Sequence, residues 1–387
     1  MFYDVPKVHI AAVRAAVPKN EIRLEDEKEF YGGSLKKIAR LRTTLGMDRR
    51  RICPPDVTAS DLCESAAVRL FADYPHFRQK IDALVFVSQS PDWFQPATAC
   101  ELQNRLGLPR SCAAFDVNQG CTGYIYGLWL AASLITGGAE TVLLLVGDAN
   151  PRGRDVRNRI IAPVFGDGGS ATLLVKKTDA PLMRFGFGTD GSGFETIIVP
   201  AGQSRIPYSR IPEENSDFVT DCADQAANPW QLLDTYMDGG AVFNFTMDVV
   251  PEHLRQALAH AGLGPEDLEW LILHQANKHI VDTLATKVGV PLERTPSASF
   301  AKFGNLASAS IPTAMCDAFA GRHDPGLTLM CGYGIGLSWG SCLCILEKLD
   351  CAPVIDFVPD PHRMTREQRI QRWKKIFSGE CSRDEQK

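Results

Sequence analysis

No apolar run in this 387-residue chain is long enough to read as a membrane span. The best candidate, residues 124–135, is too short and is flanked by glycine-rich turns. The first residues lack a basic stretch followed by an apolar one, so no secretory signal is expected. Neither sign of charge dominates: 41 Lys and Arg against 46 Asp and Glu leave −5 with histidine neutral. That gives no whole-chain reason to expect nucleic acid or a membrane as partner. None of the 12 cysteines forms a Cys-x-x-Cys pair, and most sit inside apolar runs. Reduced thiols in a cytoplasmic protein are therefore expected, and a metal site is not. Cys342 and Cys344 fall on one predicted strand and are expected on opposite sides of it.

What is present is an ordinary folded composition, 45% hydrophobic and 22% charged, which excludes a disordered chain. The length is about 2.6 times a ~150-residue domain, so two or three lobes are expected. A faint internal repeat organises them. Residues 81–89, acidic then apolar, return at 268–275, a shift of 187. The same shift lays 141–147 over 328–334, and 115–121 with its following helix over 302–308 with its own. In the first half the spacing predicts helices at 61–71, 100–106 and 124–135, with strands at 81–89, 113–117, 141–146 and 171–175. In the second half it predicts helices at 251–261, 279–288 and 311–320, with strands at 268–273, 328–330 and 341–346. Such alternation argues an α/β protein with mixed sheets sandwiched by helices.

The expected division is a first half, 1–180; a connecting segment, 181–250; a second half, 251–347; and a tail, 348–387. Within the connecting segment, 202–235 is polar and proline-bearing and reads as a surface insertion. In the tail, Ile370, Trp373 and Phe377 recur at i, i+3 and i+7, predicting a basic amphipathic helix at 365–377 packed on the body.

Three residues stand out for chemistry. Cys121 lies between a predicted strand and a strongly apolar helix, with Gly120 and Gly123 beside it. A helix N-terminus favours thiolate over thiol, and the glycines allow close approach. His274 directly follows an apolar strand, at the edge where open α/β sheets place their sites. Asn305 lies in a loop that the 187-residue shift pairs with the Cys121 loop. Alone, that histidine and asparagine could each be structural; the duplication directs all three to one pseudo-symmetric core.

Five segments together resemble the β-ketoacyl-acyl-carrier-protein synthase III family: 116–123, His274-Gln275-Ala276-Asn277, Gly304-Asn305, 165–171, and Gly334-x-Gly336-x-Ser338-Trp339-Gly340-Ser341. The resemblance runs from about residue 8 to residue 347. It implies the thiolase fold, a duplicated five-layered αβαβα architecture, and a homodimer. It also implies Cys121 as the acyl-accepting nucleophile, with His274 and Asn305 serving decarboxylation of a malonyl thioester. Oxyanion donors would be the backbone N–H groups of Cys121 and Ile335, the latter where the family writes glycine; isoleucine disfavours a positive φ there. Arg49, Arg50, Asn277, Lys278 and His279 stand where the family contacts its thioester and carrier. The implied substrates are acyl-CoA or acyl carrier protein and a malonyl thioester, with no metal or redox cofactor. The departures at Arg49–Arg51, Lys278-His279, 202–235 and the tail point to a specialised relative. Acyl transfer to a hydroxyl or amine through the same thioester, and a non-catalytic subunit, are the competing functions.

Overall fold

The computed structural model describes residues 1–149, 161–207, 209, 232–360 and 363–379, so most of the polar segment 202–235 lies outside the described residues. Two mixed sheets form the frame. The smaller runs β1 (Phe2–Val5), β9 (Met183–Thr189), β14 (Ser338–Leu346), β13 (Gly326–Gly334) and β12 (Trp270–Leu273). The larger runs β15 (Asp350–Cys351), β2 (Val8–Pro18), β8 (Gly168–Lys176), β7 (Thr141–Asp148), β5 (Ala83–Val87) and β6 (Ala113–Val117), with β16 (Ile355–Phe357) also on β2. Two ribbons stand apart: β3 (Glu21–Arg23) with β4 (Arg49–Arg51), and β10 (Ile197–Ile198) with β11 (Tyr236–Met237).

The duplication is visible in the pairing. β5 lies parallel to β7, β7 antiparallel to β8, and β8 antiparallel to β2. β12 lies parallel to β13, β13 antiparallel to β14, and β14 antiparallel to β9. Helices α4 (Gly123–Thr136) and α8 (Ser310–Phe319) fill the space between the sheets, where Leu128, Ile135, Ile311 and Phe319 join residues of both. Helices α2 (Ala59–Asp73) and α3 (Thr98–Arg105) cover the outer face of the larger sheet through Leu62, Leu70 and Leu102. Helices α5 (Gly239–Ala261) and α6 (Lys278–Val288) cover the smaller through Leu254, Leu258 and Leu284. The result is the expected five-layered αβαβα thiolase fold. Both central strands of each half are buried on two faces, which is why they read as unbroken apolar runs. Outside the layers, α1 (Leu35–Leu45) and α7 (Ala298–Phe303) meet over Ile38, Met47 and Phe300. Among the described residues no helix is long and apolar enough to cross a membrane.

Three expectations change. Helix α5 begins twelve residues before Pro251, capped by Asp238, because the apolar face continues back through Val250, Met247 and Phe245. Cys342 and Cys344, two apart on β14, share a face as the period of a strand requires, and both join the central core. The tail helix α9 (Arg366–Ser378) does form, but its stripe of Ile370, Trp373 and Phe377 faces outward, at 47%, 42% and 83% exposure. Ions hold the tail instead: Arg363 pairs with Asp61 and Glu64, and Arg369 lies over the Trp93 ring. The start of the tail also extends the larger sheet, through β15 and β16 on β2.

Candidate active site

Cys121 sits in the turn from β6 into α4, two residues before the first residue of the helix. Behind it the backbone packs on β13: a Cβ at Gly332 would lie 2.7 Å from the Cys121 carbonyl oxygen, so only glycine fits there. Burial pushes the thiol up to about 11; the backbone N–H groups of Ile335 and of Cys121 itself oppose that rise, and the charge of Asp148 adds to it. The resting group is therefore the thiol, not the thiolate expected from the helix N-terminus: desolvation outweighs the helix field. The same two N–H groups are the donors expected for an oxyanion. Ile335 is not among the non-glycine residues with positive φ; its neighbours Gly334 (φ 147°) and Gly336 (φ 135°) take those conformations. Isoleucine is thus accommodated. Ser338 fixes this loop by donating to the Ile335 carbonyl at 2.8 Å, and its hydroxyl lies 3.0 Å from that of Thr122.

His274 follows β12 and is almost wholly buried. Its backbone N–H donates to the Cys331 carbonyl at 2.8 Å. The Tyr333 hydroxyl donates to its carbonyl at 2.9 Å, and the Tyr333 ring stands edge-on to the imidazole at 5.5 Å. Nδ1 lies 2.6 Å from the Ser310 hydroxyl. Burial lowers the imidazole to about 3, with only the Ala307 backbone working the other way. The ring is neutral at neutral pH.

Asn305 is held on both sides of its backbone. Its N–H donates to the Val164 carbonyl at 2.9 Å, and its carbonyl accepts from Gly166 at 2.9 Å. A Cβ at Gly166 would lie 2.0 Å from the Phe303 carbonyl oxygen, which explains the glycine of that motif. The Asn305 Oδ1 accepts the Ala307 N–H at 2.9 Å, leaving the amide NH2 facing the other way. Ala307 thus touches both partners, fixing the amide of Asn305 and meeting the ring of His274. One residue on, Ser308 lies against the first turn of α4: its Cβ is 3.1 Å from where a Gly123 Cβ would be. His274 and Asn305 thus meet through Ala307, and the loop that carries Asn305 packs through Ser308 on the turn that carries Cys121.

The other predicted residues fare differently. Arg50 is buried, paired with Glu27 at 2.6 Å, and its Nε and Nη1 have no hydrogen-bond partner. It belongs to no solvated basic face. Arg49 is half-buried and meets Glu21 at 3.2 Å. Asn277 caps α6, its Oδ1 accepting the Ile280 N–H at 2.8 Å. Lys278 pairs with Asp282 and packs against Gly46, so the arginine-bearing stretch and the start of α6 adjoin. His279 stacks on Phe243 with ring centroids 6.3 Å apart. Sequence reasoning missed Ala307, Ser310, Tyr333 and Asp148. Asp148 could have been noticed, as a carboxylate directly after an apolar strand.

A thiol beside two backbone donors, with a neutral histidine and an oriented amide on adjoining loops of a duplicated αβαβα frame, is the arrangement of an acyl-thioester enzyme of the thiolase class. Family models for 3-oxoacyl-[acyl-carrier-protein] synthase III match residues 115–191, and those for its C-terminal part match 258–345. A β-ketoacyl-[acyl-carrier-protein] synthase III of Rhodopirellula baltica is 33% identical over 358 residues, 87% of this chain and 97% of that protein. One from Syntrophomonas wolfei is 32% identical, covering 87% of this chain and 97% of its own. The crystal structure of a 3-oxoacyl-(acyl-carrier protein) synthase from Burkholderia xenovorans superposes with a TM-score of 0.83 at 33% identity, covering 92% of this chain and 99% of that one. The chain belongs to the β-ketoacyl-acyl-carrier-protein synthase III family. It is a 3-oxoacyl-acyl-carrier-protein synthase III-like acyltransferase.

Proposed function

We propose that Cys121 accepts an acyl group from a CoA or carrier-protein thioester and passes it to a malonyl-type thioester with loss of CO2. In the first half-reaction the Cys121 sulfur attacks the thioester carbon. The bond to the donor sulfur breaks, and the thiol proton leaves with the departing thiol. The oxyanion formed on the way is held by the N–H groups of Cys121 and Ile335. In the second, the carboxylate carbon–carbon bond of the malonyl group breaks and its electron pair becomes an enolate. The Asn305 amide donates to that enolate oxygen, and so does His274, with Ser310 donating to Nδ1 so that the ring proton stays on Nε2. The enolate carbon attacks the acyl carbon on Cys121, and the sulfur departs and takes up one proton. CO2 departure supplies the electrons, so the chemistry calls on no metal or redox cofactor.

The observation that carries this assignment is the state of His274. An imidazole held near 3 is a weak base and a good neutral donor, which suits an enolate better than proton removal from an alcohol or amine. The outer edge of β6 and the exposed Phe94 suit a homodimer seam beside the nucleophile. Arg49, Lys278 and His279 would serve the pantetheine or carrier end of the substrate, in the cytoplasm, whereas Arg50, buried against Glu27, would not. The test is intact-protein mass spectrometry with a panel of acyl thioesters, followed by ¹³C-carboxyl malonyl thioester or simple alcohols and amines. An acyl increment on Cys121 and labelled CO2 are expected. Product from the alcohols or amines without labelled CO2 would overturn condensation.

A further inference from the structure

Asp148 ends β7 and is buried. Its Oδ1 accepts the Gln89 N–H at 2.7 Å and the Ser88 hydroxyl at 3.2 Å, with the Ser90 hydroxyl at 3.5 Å. Its Oδ2 accepts the Ser308 N–H at 3.1 Å and the Ser308 hydroxyl at 2.6 Å. Each oxygen thus holds a different half of the duplication. Two of the donors are backbone N–H groups that cannot reverse, so the site is matched to a carboxylate and not to a carboxamide. Both loops continue to the nucleophile. A Cβ at Gly120 would lie 2.2 Å from the Gln89 Oε1, and one at Gly123 would lie 3.1 Å from the Ser308 Cβ. Asp148 therefore braces, through Gln89 and Ser308, the glycines on either side of Cys121. Ser308 also adjoins Ala307, which orients Asn305.

We propose that Asp148 is a positioning residue for condensation, clamping the Asn305–Ser308 loop against the turn that carries Cys121; the role rests on the assignment of Cys121 and Asn305 above. A displacement of about 1 Å at such a site can cost ~10²-fold in rate. The clamp also sets a charge beside the thiol. Asp148 opposes ionisation of Cys121 and of Cys63, whose sulfur is 2.7 Å from where a Gly147 Cβ would be. Tyr333 and His274, the other titratable groups around Cys121, are both held neutral by burial. Burial raises the Asp148 carboxyl itself, while hydrogen bonds from Ser308, Gln89 and Ser88 work the other way; as a carboxylate it is the charge that acts on Cys121.

The test compares Asp148→Asn and Ser308→Ala with the unaltered protein in three measurements. These are acylation of Cys121 by intact mass, release of labelled CO2 from malonyl thioester, and the pH dependence of Cys121 alkylation by iodoacetamide without substrate. For Asp148→Asn, CO2 release should fall about 10²-fold and acylation by less than about tenfold. Its alkylation midpoint should move to lower pH, because a negative neighbour has gone. Ser308→Ala should lose CO2 release in the same direction, by less, with the midpoint in place. Equal loss of both half-reactions, full CO2 release, or an unmoved midpoint in Asp148→Asn would overturn the proposal. If Asp148→Asn does not fold, Ser308→Ala decides, and unchanged CO2 release there is fatal. Failure of the unaltered protein to acylate Cys121 would instead sink the functional assignment, and the alkylation midpoint would still report on Asp148.

Discussion

The Ala307 N–H donates to the Asn305 Oδ1 at 2.9 Å, and Ala307 itself holds φ at +48°, in the left-handed region. A residue with a Cβ pays roughly 1 kcal/mol or more for that conformation. The surrounding backbone enforces it: Asn305 is pinned between Val164 and Gly166, and Ser308 is held by Asp148. The strain turns the Asn305 carbonyl oxygen inward to Ala307 and its NH2 outward, as a donor.

From this orientation, Asn305→Ala should lower CO2 release from malonyl thioester by about 10²–10³-fold, the usual cost of one oxyanion-type donor. Self-acylation of Cys121 should persist at a measurable rate, because the donors for that step are backbone groups. Intact mass and labelled CO2, measured on one preparation, separate the two. Unchanged CO2 release would remove the amide from the site.

Cys121→Ala should show no acyl mass increment with any donor. Among the described residues, Cys63, Cys331 and Cys342 are poor competitors, since burial pushes all three far up. A thioester adduct that survives the substitution would mean that the nucleophile lies elsewhere.

At the tail, Arg363 joins Arg105 on Asp61 and Glu64, and those two contacts help hold the Glu64 carboxyl below its ordinary value against burial. Arg363→Ala leaves both acids still paired with Arg105, so global stability should change by no more than about 1 kcal/mol. Anchorage should suffer more: limited trypsinolysis within 366–375 should accelerate several-fold, while condensation is retained. Cleavage at the unaltered rate would show that Arg366, which donates to the Pro55 carbonyl, and Arg369 over Trp93 suffice.

Much of this was legible in the sequence, for reasons particular elements make plain. β5, β7 and β12 could be read because two-sided burial leaves unbroken apolar runs, and His274, just beyond β12, followed from them; Cys121 was found from the glycines around it before an apolar helix. β2 was missed. It is as deeply buried, but Ala11, Ala12, Ala15 and Ala16 and a bulge after Ile10 blur any period. β9 was missed, inside the expected connecting segment, because Gly186 and Gly188 interrupt its apolar pattern; the rings of Phe2 and Trp339 lie over them and supply the missing side chains. The tail helix was found from its spacing, yet spacing does not say which face meets the body, and here ions decide it. The role of Asp148 was not legible for a related reason. What makes it more than a strand-end carboxylate is Ser308, 160 residues away.

The last prediction concerns pH. His274 holds a pKa of about 3 in the folded protein, against an ordinary value of 6.5. Below 6.5 the unfolded chain binds a proton there that the folded chain refuses, so stability is full above that pH and is lost as pH falls towards 3. Between pH 7 and pH 5 one such histidine costs about 2 kcal/mol of stability. His253, lowered to about 4 by burial, adds a loss in the same window, so the acid sensitivity of the unaltered protein alone cannot be assigned. Comparison with His274→Gln can, because His253 is common to both and cancels. Glutamine does not titrate, and it keeps a polar side chain near the Ser310 hydroxyl, which lies 2.6 Å from Nδ1 in the native site. Urea midpoints at pH 7 and pH 5, at one protein concentration, should therefore fall less for the variant, by the equivalent of about 2 kcal/mol. Equal falls in both proteins would mean that His274 is protonated in the folded state at pH 5. The imidazolium would then be the donor at the enolate, and CO2 release should show a matching acid limb.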